Sequence, residues 1–494
     1  MSIELTNTQK AVARISQAIK NQEKIIVYSD YDADGICATA IMWETLHDLG
    51  ADVLPYVPHR IKEGYGLSSD AIAKLAKKNV KLIITVDHGV TAHKQIEYAK
   101  SLKVDVIVTD HHVLPKIPPN PFALVHTTNL CGAGVAWCLS FEIVKKLKLS
   151  YKGSLIQKLE LAALATIADL VPLVGANRAI VKIGLEKFSK SQRPGLKALI
   201  KASGLTSKVG TYEIGHILAP RINAMGRIEH GLDSLRLLCV RDYEKAQNLA
   251  SLLSKTNNRR QDLTVKAVSD AMNMVDQSQL VGVLHHNEWH EGVIGLVASR
   301  LVESFHRPMI VISRGEVYSK GSARSIPGFN IVEAIHSTSK LLVDGGGHPM
   351  AAGFTIETRH IDTFAGKINE YATSRLTDEL LTLVLKIDCQ LTIQDITRQT
   401  FDEIKKFEPF GVGNPQPLFL TRNMLLEDVR TVGADNRHLK IQVNGLSAIG
   451  FNLGEKRTQI RPGYKIDLVY TLAEDNFNGA GAIQLKIKDL RISS

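Results

Sequence analysis

Three short runs of β-branched residues, each closing on an aspartate, constrain this chain more than any other feature. Lys24-Ile-Ile-Val-Tyr-Ser-Asp30, Lys81-Leu-Ile-Ile-Thr-Val-Asp87 and Val104-Asp-Val-Ile-Val-Thr-Asp110 read as buried strands. Helical stretches lie between them, the first from Gly35 to about Leu49. Continuous Val/Ile runs with intervening helices predict a parallel sheet covered on both faces. In open sheets of this kind, ligands bind outside the carboxyl ends of the strands. Three acids arrive at that edge independently, which composition alone does not give.

The pattern is helical from about 133 to 275. Leu159 to Leu170 is apolar and Ala-rich, and Glu244 to Val275 reads as one long helix carrying Asn257-Asn-Arg-Arg-Gln261, a spacer between domains. Strand signals return at Leu280-Val-Gly-Val-Leu284 and Met309-Ile-Val-Ile312, followed by the cluster Gly345-Gly-Gly-His-Pro-Met-Ala-Ala-Gly353. Beyond about 385, short β-like segments separated by turns predict a small all-β barrel or sandwich. With 494 residues the chain exceeds one core, and the expected domains are 1–240, a connecting helix 241–275, 276–380 and 381–494.

Composition narrows the class. At 44% hydrophobic and 22% charged the chain is globular, and no apolar run approaches the ~18 residues of a membrane span. Its opening residues lack the basic and apolar regions of a secretory signal. Five cysteines, scattered and never in CxxC spacing, argue against a disulfide framework or a cysteine zinc site and for a reducing cytoplasm. A net charge of +10 suits a polyanionic partner.

The acids carry the chemistry. In Asp30-Tyr-Asp-Ala-Asp-Gly35, strand alternation puts Asp30, Asp32 and Asp34 on one side, and Gly35 permits a sharp turn into the helix. Like charges that close raise one another's pKa unless a cation sits among them; the bland alternative is a solvated acidic turn. No bidentate glutamate follows, so this is not an EF-hand. Asp87-His-Gly89 and Asp110-His-His112 end the other strands, and Asp169 ends an apolar helix. Carboxylates with an imidazole and no thiolate favour Mg²⁺ or Mn²⁺. There are oxygens enough for two ions, and a pair ~3.5–4 Å apart is the usual clamp for displacement at phosphorus.

Asp30-Tyr-Asp-Ala-Asp-Gly, Asp87-His-Gly, Asp110-His-His and Ala168-Asp-Leu-Val-Pro resemble the ordered motifs of the DHH phosphoesterase superfamily. These alone leave pyrophosphatases and nano-RNases open. Gly64-Tyr-Gly-Leu, Leu130-Cys-Gly-Ala-Gly-Val-Ala-Trp, Pro220-Arg-Ile-Asn-Ala-Met-Gly-Arg227, Trp289-His-Glu-Gly, Lys320-Gly-Ser-Ala-Arg-Ser325, Gly346-Gly-His-Pro and Pro409-Phe-Gly-Val-Gly-Asn-Pro415 narrow the resemblance to the RecJ-type single-strand-specific exonucleases. It runs in order from about residue 24 to the C-terminus.

The resemblance implies a parallel-sheet α/β DHH domain, a long helical connector, a smaller α/β DHH-associated domain and a C-terminal all-β OB-like domain. It implies that Asp32, Asp34, Asp87, His111 and Asp169 hold two Mn²⁺ or Mg²⁺ ions, with Asp87 bridging. Asp30 and Asp110 would stand behind them or complete a site, and His112 would face the scissile phosphate, making these three the catalytic group. Tyr28 occupies the place of a metal-binding histidine found in some superfamily members. Arg60, Arg221, Asn223, Arg227, Ser322, Arg324 and His348 would hold substrate, with Gly345-Gly-Gly-His348 as a backbone nest for phosphate. The implied activity is 5′ to 3′ hydrolysis of single-stranded DNA to 5′-mononucleotides in recombination and repair, in the cytoplasm and away from any membrane, with a single-strand-binding protein and a helicase as partners. From 385 to 494 the chain holds fifteen Lys/Arg against thirteen Asp/Glu. Strand binding there would rest on Phe407, Phe410, Phe419 and Phe451, unless these are core.

Overall fold

The structure is a computed structural model that describes residues 5–60, 63–64, 66–147, 153–206, 208–475 and 482–493. Tyr65, inside the quoted Gly64-Tyr-Gly-Leu segment, lies outside the described residues. The chain divides into two compact units. The first runs to Asp169 and resumes from Ala179 to Leu383; the second joins Leu170–Arg178 to the chain from Val384 onward. Residues 170–178 therefore group with the C-terminal unit, not with the first domain where sequence order puts them.

The first unit opens with α1 (Thr8–Lys20), β1 (Lys24–Tyr28), α2 (Ala33–Asp48), β2 (Val53–Tyr56), α3 (Ser69–Lys77), β3 (Val80–Val86), α4 (His93–Ser101), β4 (Asp105–Asp110) and β5 (Ala123–His126). The five strands form a parallel sheet in the order β2-β1-β3-β4-β5. Ile83, Ile84, Val106, Ile107 and Val108 are fully or almost fully buried, which is why these strands read as unbroken β-branched runs. Helices α5 (Gly132–Leu147) and α6 (Leu155–Ala168) pack against α2. Ala33, Gly35, Ala38 and Ala40 keep α2 narrow enough to be buried on most sides.

Further helices follow: α7 (Gly175–Ser189), α8 (Pro194–Ala202), a single turn α9 (Thr211–Glu213) leading into a π-helical segment Ile214–Leu218, α10 (Ala219–Ile228), α11 (Leu232–Cys239) and α12 (Tyr243–Met272). Pro220 lies in the first turn of α10, where helical backbone continues from the π-helical segment through Leu218 and Ala219. Asp242 caps α12 by accepting from Lys245 N at 2.8 Å, and its 30 residues span about 45 Å. A second sheet, β6-β7-β8-β10-β9, uses Gly282–His286, Met309–Ser313, Tyr318–Arg324, Ala351–Glu357 and Leu342–His348, with α13 (Ile294–Phe305), α14 (Ile331–Ser337) and α15 (Ile361–Thr373) in the same region of the chain. The glycine cluster is thus not a nest. Gly345 pairs with Phe354 and Gly346 with Gly353 in an antiparallel ladder, which holds their N–H groups along a strand instead of converging them on one point.

The second unit carries β11 (Cys389–Gln390), β12 (Phe419–Val432), β13 (His438–Val443), β14 (Leu446–Gly450), β15 (Lys465–Glu474) and β16 (Ile483–Ile492). Pairing of β12 with β15 closes five of these strands into a barrel. Phe419 lies in its core, while Phe407 and Phe451 are 58% and 54% exposed, so the four phenylalanines divide. The Leu-Val-Pro-Leu turn after Asp169 meets the Pro409–Pro415 loop: Leu173 N donates to Val412 O, and Gly413, at φ 74°, leaves no room for a Cβ against Pro172.

A buried ion network ties three helices of the first unit. Arg193 reaches Glu44 of α2 at 2.6 Å and Glu160 of α6 at 2.7 Å, and donates to Leu238 O of α11. Arg193→Ala would strip the buried Glu160 of its ion pair and leave Glu44 with only Lys158 at 3.8 Å, and is expected to destabilise the chain by about 3 kcal/mol. Urea denaturation would show it as a clear fall in midpoint, whereas an unchanged midpoint would mean the network adds no stability.

Candidate metal centre and strand interface

Between Tyr28 and α2 the chain does not stay extended. Asp32 is the N-cap of α2, and its Oδ1 accepts from Asp34 N at 2.9 Å and Gly35 N at 3.0 Å. Asp32 is itself extended and the helix begins after it, yet the three acids still converge: Asp32 raises the pKa of both Asp30 and Asp34, and all three raise Asp87. Gly35 is an ordinary helical residue, not a sharp turn; a Cβ there would stand 2.7 Å from that of Asp30. Asp34 points into the sheet edge, where its two oxygens accept from Gly132 N at 2.6 Å and Ala133 N at 2.7 Å at the start of α5. Free N–H groups at a helix N-terminus suit a carboxylate.

Asp87 follows β3 in the left-handed region, at φ 68°, a conformation seldom adopted by a non-glycine residue. It is wedged against Gly132, where a Cβ would come within 2.5 Å of the Asp87 Cβ. Asp110 ends β4 and accepts from Val90 N, His111 N and His112 N, and at 2.8 Å from His112 Nδ1. Despite burial, these bonds hold it well below the usual carboxylate range. Asp110 is thus fully engaged as an orienting group. Burial disfavours charge on His112, but Asp110, with Asp169 and Asp30 beyond, raises it to about 9.

His111 turns its Nε2 toward Asp87 at 3.1 Å, Asp169 at 3.5 Å and Asp34 at 3.7 Å. Burial, then His112, pushes its pKa down to about 4, so the ring is neutral. Burial and then neighbouring acids raise Asp34 to about 6 and Asp169 to about 8, with Asp30 and Asp87 also well above normal. Asp87 Oδ1 and His111 Nε2 are buried without a hydrogen-bond partner. Among the described residues, three groups bring ligand atoms within 4.8 Å of one another, as a cation site requires: Asp34, His111 and Asp169; Asp30, Asp32 and Asp87; and Asp87, His111 and His112. Asp87 and His111 each belong to two. Hard oxygen donors with one neutral imidazole, crowded and short of positive charge, fit a pair of Mn²⁺ or Mg²⁺ ions.

The family models agree with this layout. The DHH family N-terminal domain matches residues 24–168, the DHHA1 domain 276–374 and the RecJ OB domain 387–489. The single-stranded-DNA-specific exonuclease RecJ of Thermus thermophilus is 36% identical over 99% of this chain and 71% of its own. This chain belongs to the RecJ family. The Bacillus subtilis RecJ is 40% identical over 99% of the chain, which spans 64% of that relative, and the Escherichia coli RecJ is 31% identical over 99% and 90%. The crystal structure of Thermus thermophilus RecJ with Mn²⁺ superposes with a TM-score of 0.88 at 33% identity, covering all of this chain and 72% of that one; the Mg²⁺ complex gives 0.82.

Around the RecJ-type centre, the residues expected to hold substrate separate into two kinds. His348 of β9 stacks on His112 with ring centroids 5.9 Å apart and planes 11° from parallel. Arg60 lies over the Tyr31 ring at 5.0 Å. Arg324 donates to Ser322 Oγ at 3.2 Å. Burial lowers Arg227 to about 10, helped by the nearby charges of Arg60, Arg324 and Arg260. Asn223 is of the other kind: its Oδ1 accepts from Ala33 N at 2.7 Å and so braces the acidic loop. Arg221 donates to Ile217 O in the π-helical segment that precedes its own helix.

Nothing local in the sequence marks Gly132 and Ala133 as site residues, because their contact with Asp34 crosses about a hundred positions. Gly132→Ala is expected to push Asp87 out of the centre. The wild-type chain should gain thermal stability from added Mn²⁺ and lose it with EDTA. The variant should show little of that gain, and a wild-type-sized shift would remove Gly132 from the site.

Proposed function

We propose that this chain is a two-metal exonuclease that hydrolyses the phosphodiester bonds of single-stranded DNA. It works from the 5′ end, releases 5′-mononucleotides, and serves recombination and repair in the cytoplasm, where a single-strand-binding protein and a helicase present its substrate. The observation that carries this reading is that Asp87 Oδ1 and His111 Nε2, 3.1 Å apart, are buried without a hydrogen bond, near arginines that make no ion pair among the described residues. The polarity and the pathway rest on family membership. Among the described residues no helix is long and apolar enough to cross a membrane.

Asp32, Asp34, Asp87, His111 and Asp169 would hold the ions, with Asp30 beside Asp32 and Asp87. Bound there, the ions supply an activated water and neutralise charge on the phosphoryl oxygens. The chain's own groups do the placing. Gly132 and Ala133 fix Asp34, and Asp110 fixes the tautomer and direction of His112. A protonated His112 can donate to a phosphoryl or leaving oxygen. Arg60, Arg227, Arg324 and Ser322 offer forks and a hydroxyl to the phosphate, with His348 stacked behind His112.

The barrel unit contributes strand affinity. Arg430, Lys440, Ile449 and Lys486 form one cross-strand row over β12, β13, β14 and β16, next to the exposed Phe451, which packs edge-on to His438 at 5.2 Å. Among the described residues those three cations make no ion pair, which suits backbone phosphates beside a stacked base.

A single-stranded oligodeoxynucleotide labelled at its 5′ end tests the reading in Mn²⁺, Mg²⁺ and EDTA, against Asp87→Ala. Immediate release of labelled mononucleotide, abolished by EDTA and lost by more than about a hundredfold in the variant, is expected. A ladder of shortening 5′-labelled products would reverse the polarity, and no cleavage in either metal would overturn the activity.

A further inference from the structure

The run Asn257-Asn-Arg-Arg-Gln261 sits midway along α12, and nothing argued so far gives it a task. Helices α10 and α12 pack together. Arg260 of α12 stands close enough to Arg221 and Arg227 of α10, and to Arg300 of α13, for the charges to repel. Each of the inner two is aimed by one bond: Arg260 Nη2 donates to Asn257 Oδ1 at 2.9 Å, and Arg221 Nη1 to Ile217 O at 2.6 Å. The Nε of each is buried without a partner, and among the described residues neither guanidinium has a carboxylate within ion-pair distance. Their neighbours differ. Arg259 pairs with Glu229 at 3.0 Å and Arg300 with Glu303 at 2.9 Å.

Half-buried guanidiniums that repel one another and lack counter-charges are unfavourable unless an anion joins them. Their planar forks match phosphate oxygens. Arg227 links the two places, because its charge interacts with both Asp32 of the metal centre and Arg260. We propose that Arg260 and Arg221 form a second phosphate site, which takes an internal phosphodiester of the strand at least one nucleotide away from the bond held at the metal centre. This rests on the nuclease reading above and extends it from the scissile phosphate to the path of the strand.

The test compares the full chain with Arg260→Gln and Arg260→Lys on 5′-phosphorylated oligothymidylates, from a dinucleotide to a dodecamer, in Mn²⁺. The loss in Arg260→Gln should grow with length, appearing as KM raised roughly tenfold on the dodecamer with kcat little changed. Dodecamer affinity, measured by anisotropy in EDTA at rising KCl, should lose about 0.7 from its salt slope. Arg260→Lys should recover most of that slope. An equal loss at every length with an unaltered slope would make Arg260 a packing residue of α10 and α12 and overturn the site. A loss seen only with a 5′-phosphate and not a 5′-hydroxyl would move it to the strand end. If wild type cleaves nothing, the nuclease reading fails, and the salt slope still decides whether Arg260 meets a phosphate.

Discussion

Carboxylates packed at the edge of a buried sheet, with too little positive charge among them, set the terms for the rest of this structure. Asp30, Asp34, Asp87 and Asp169 all have raised pKa values, for the same two reasons: burial and one another. Left alone, such a group would protonate or spread apart. The main chain prevents the second outcome. Asp34 is gripped by two N–H groups at the start of α5, and Asp87 is wedged against Gly132 in a left-handed conformation. A rigid excess of negative charge is then a demand for cations built into the backbone. The helix that grips Asp34 and the glycine that admits Asp87 belong to the same few residues, Gly132 and Ala133, so one loop sets two ligands at once.

What the sequence reveals of this arrangement follows from how local each feature is. Parallel strands buried on both faces need unbroken β-branched runs, so β1, β3 and β4 and their terminal aspartates are legible. So is α12, whose polar repeat extends far beyond an ordinary helix. The Asp32 cap is legible too, since aspartate ahead of an acidic first turn is an N-terminal helix signal. The glycine cluster misled for a different reason. Gly345 and Gly346 have no side chains to show strand alternation, and only their pairing with β10 makes them a strand. The same holds for Phe419 and Phe451, identical in type, one in the barrel core and one on its surface.

Opposite charges stand close together here and do not cancel. Arg227 feels Asp32, and Arg60 feels Asp30, yet among the described residues no ion pair joins these arginines to the acids. The reason lies in prior commitments. Asp32 is held by the first turn of α2 and Asp34 by α5, each through backbone N–H groups that cannot swing away. The arginines are held by equally local bonds, Arg324 to Ser322 and Ala323, Arg221 to Ile217, Arg260 to Asn257. An arginine that closed onto the acids would block a metal ion and withdraw a phosphate ligand in one motion. Hydrogen bonds to the main chain and to neighbouring side chains keep the two charge populations apart at short range, which is the condition for a polyanion and its metal ions to bind side by side.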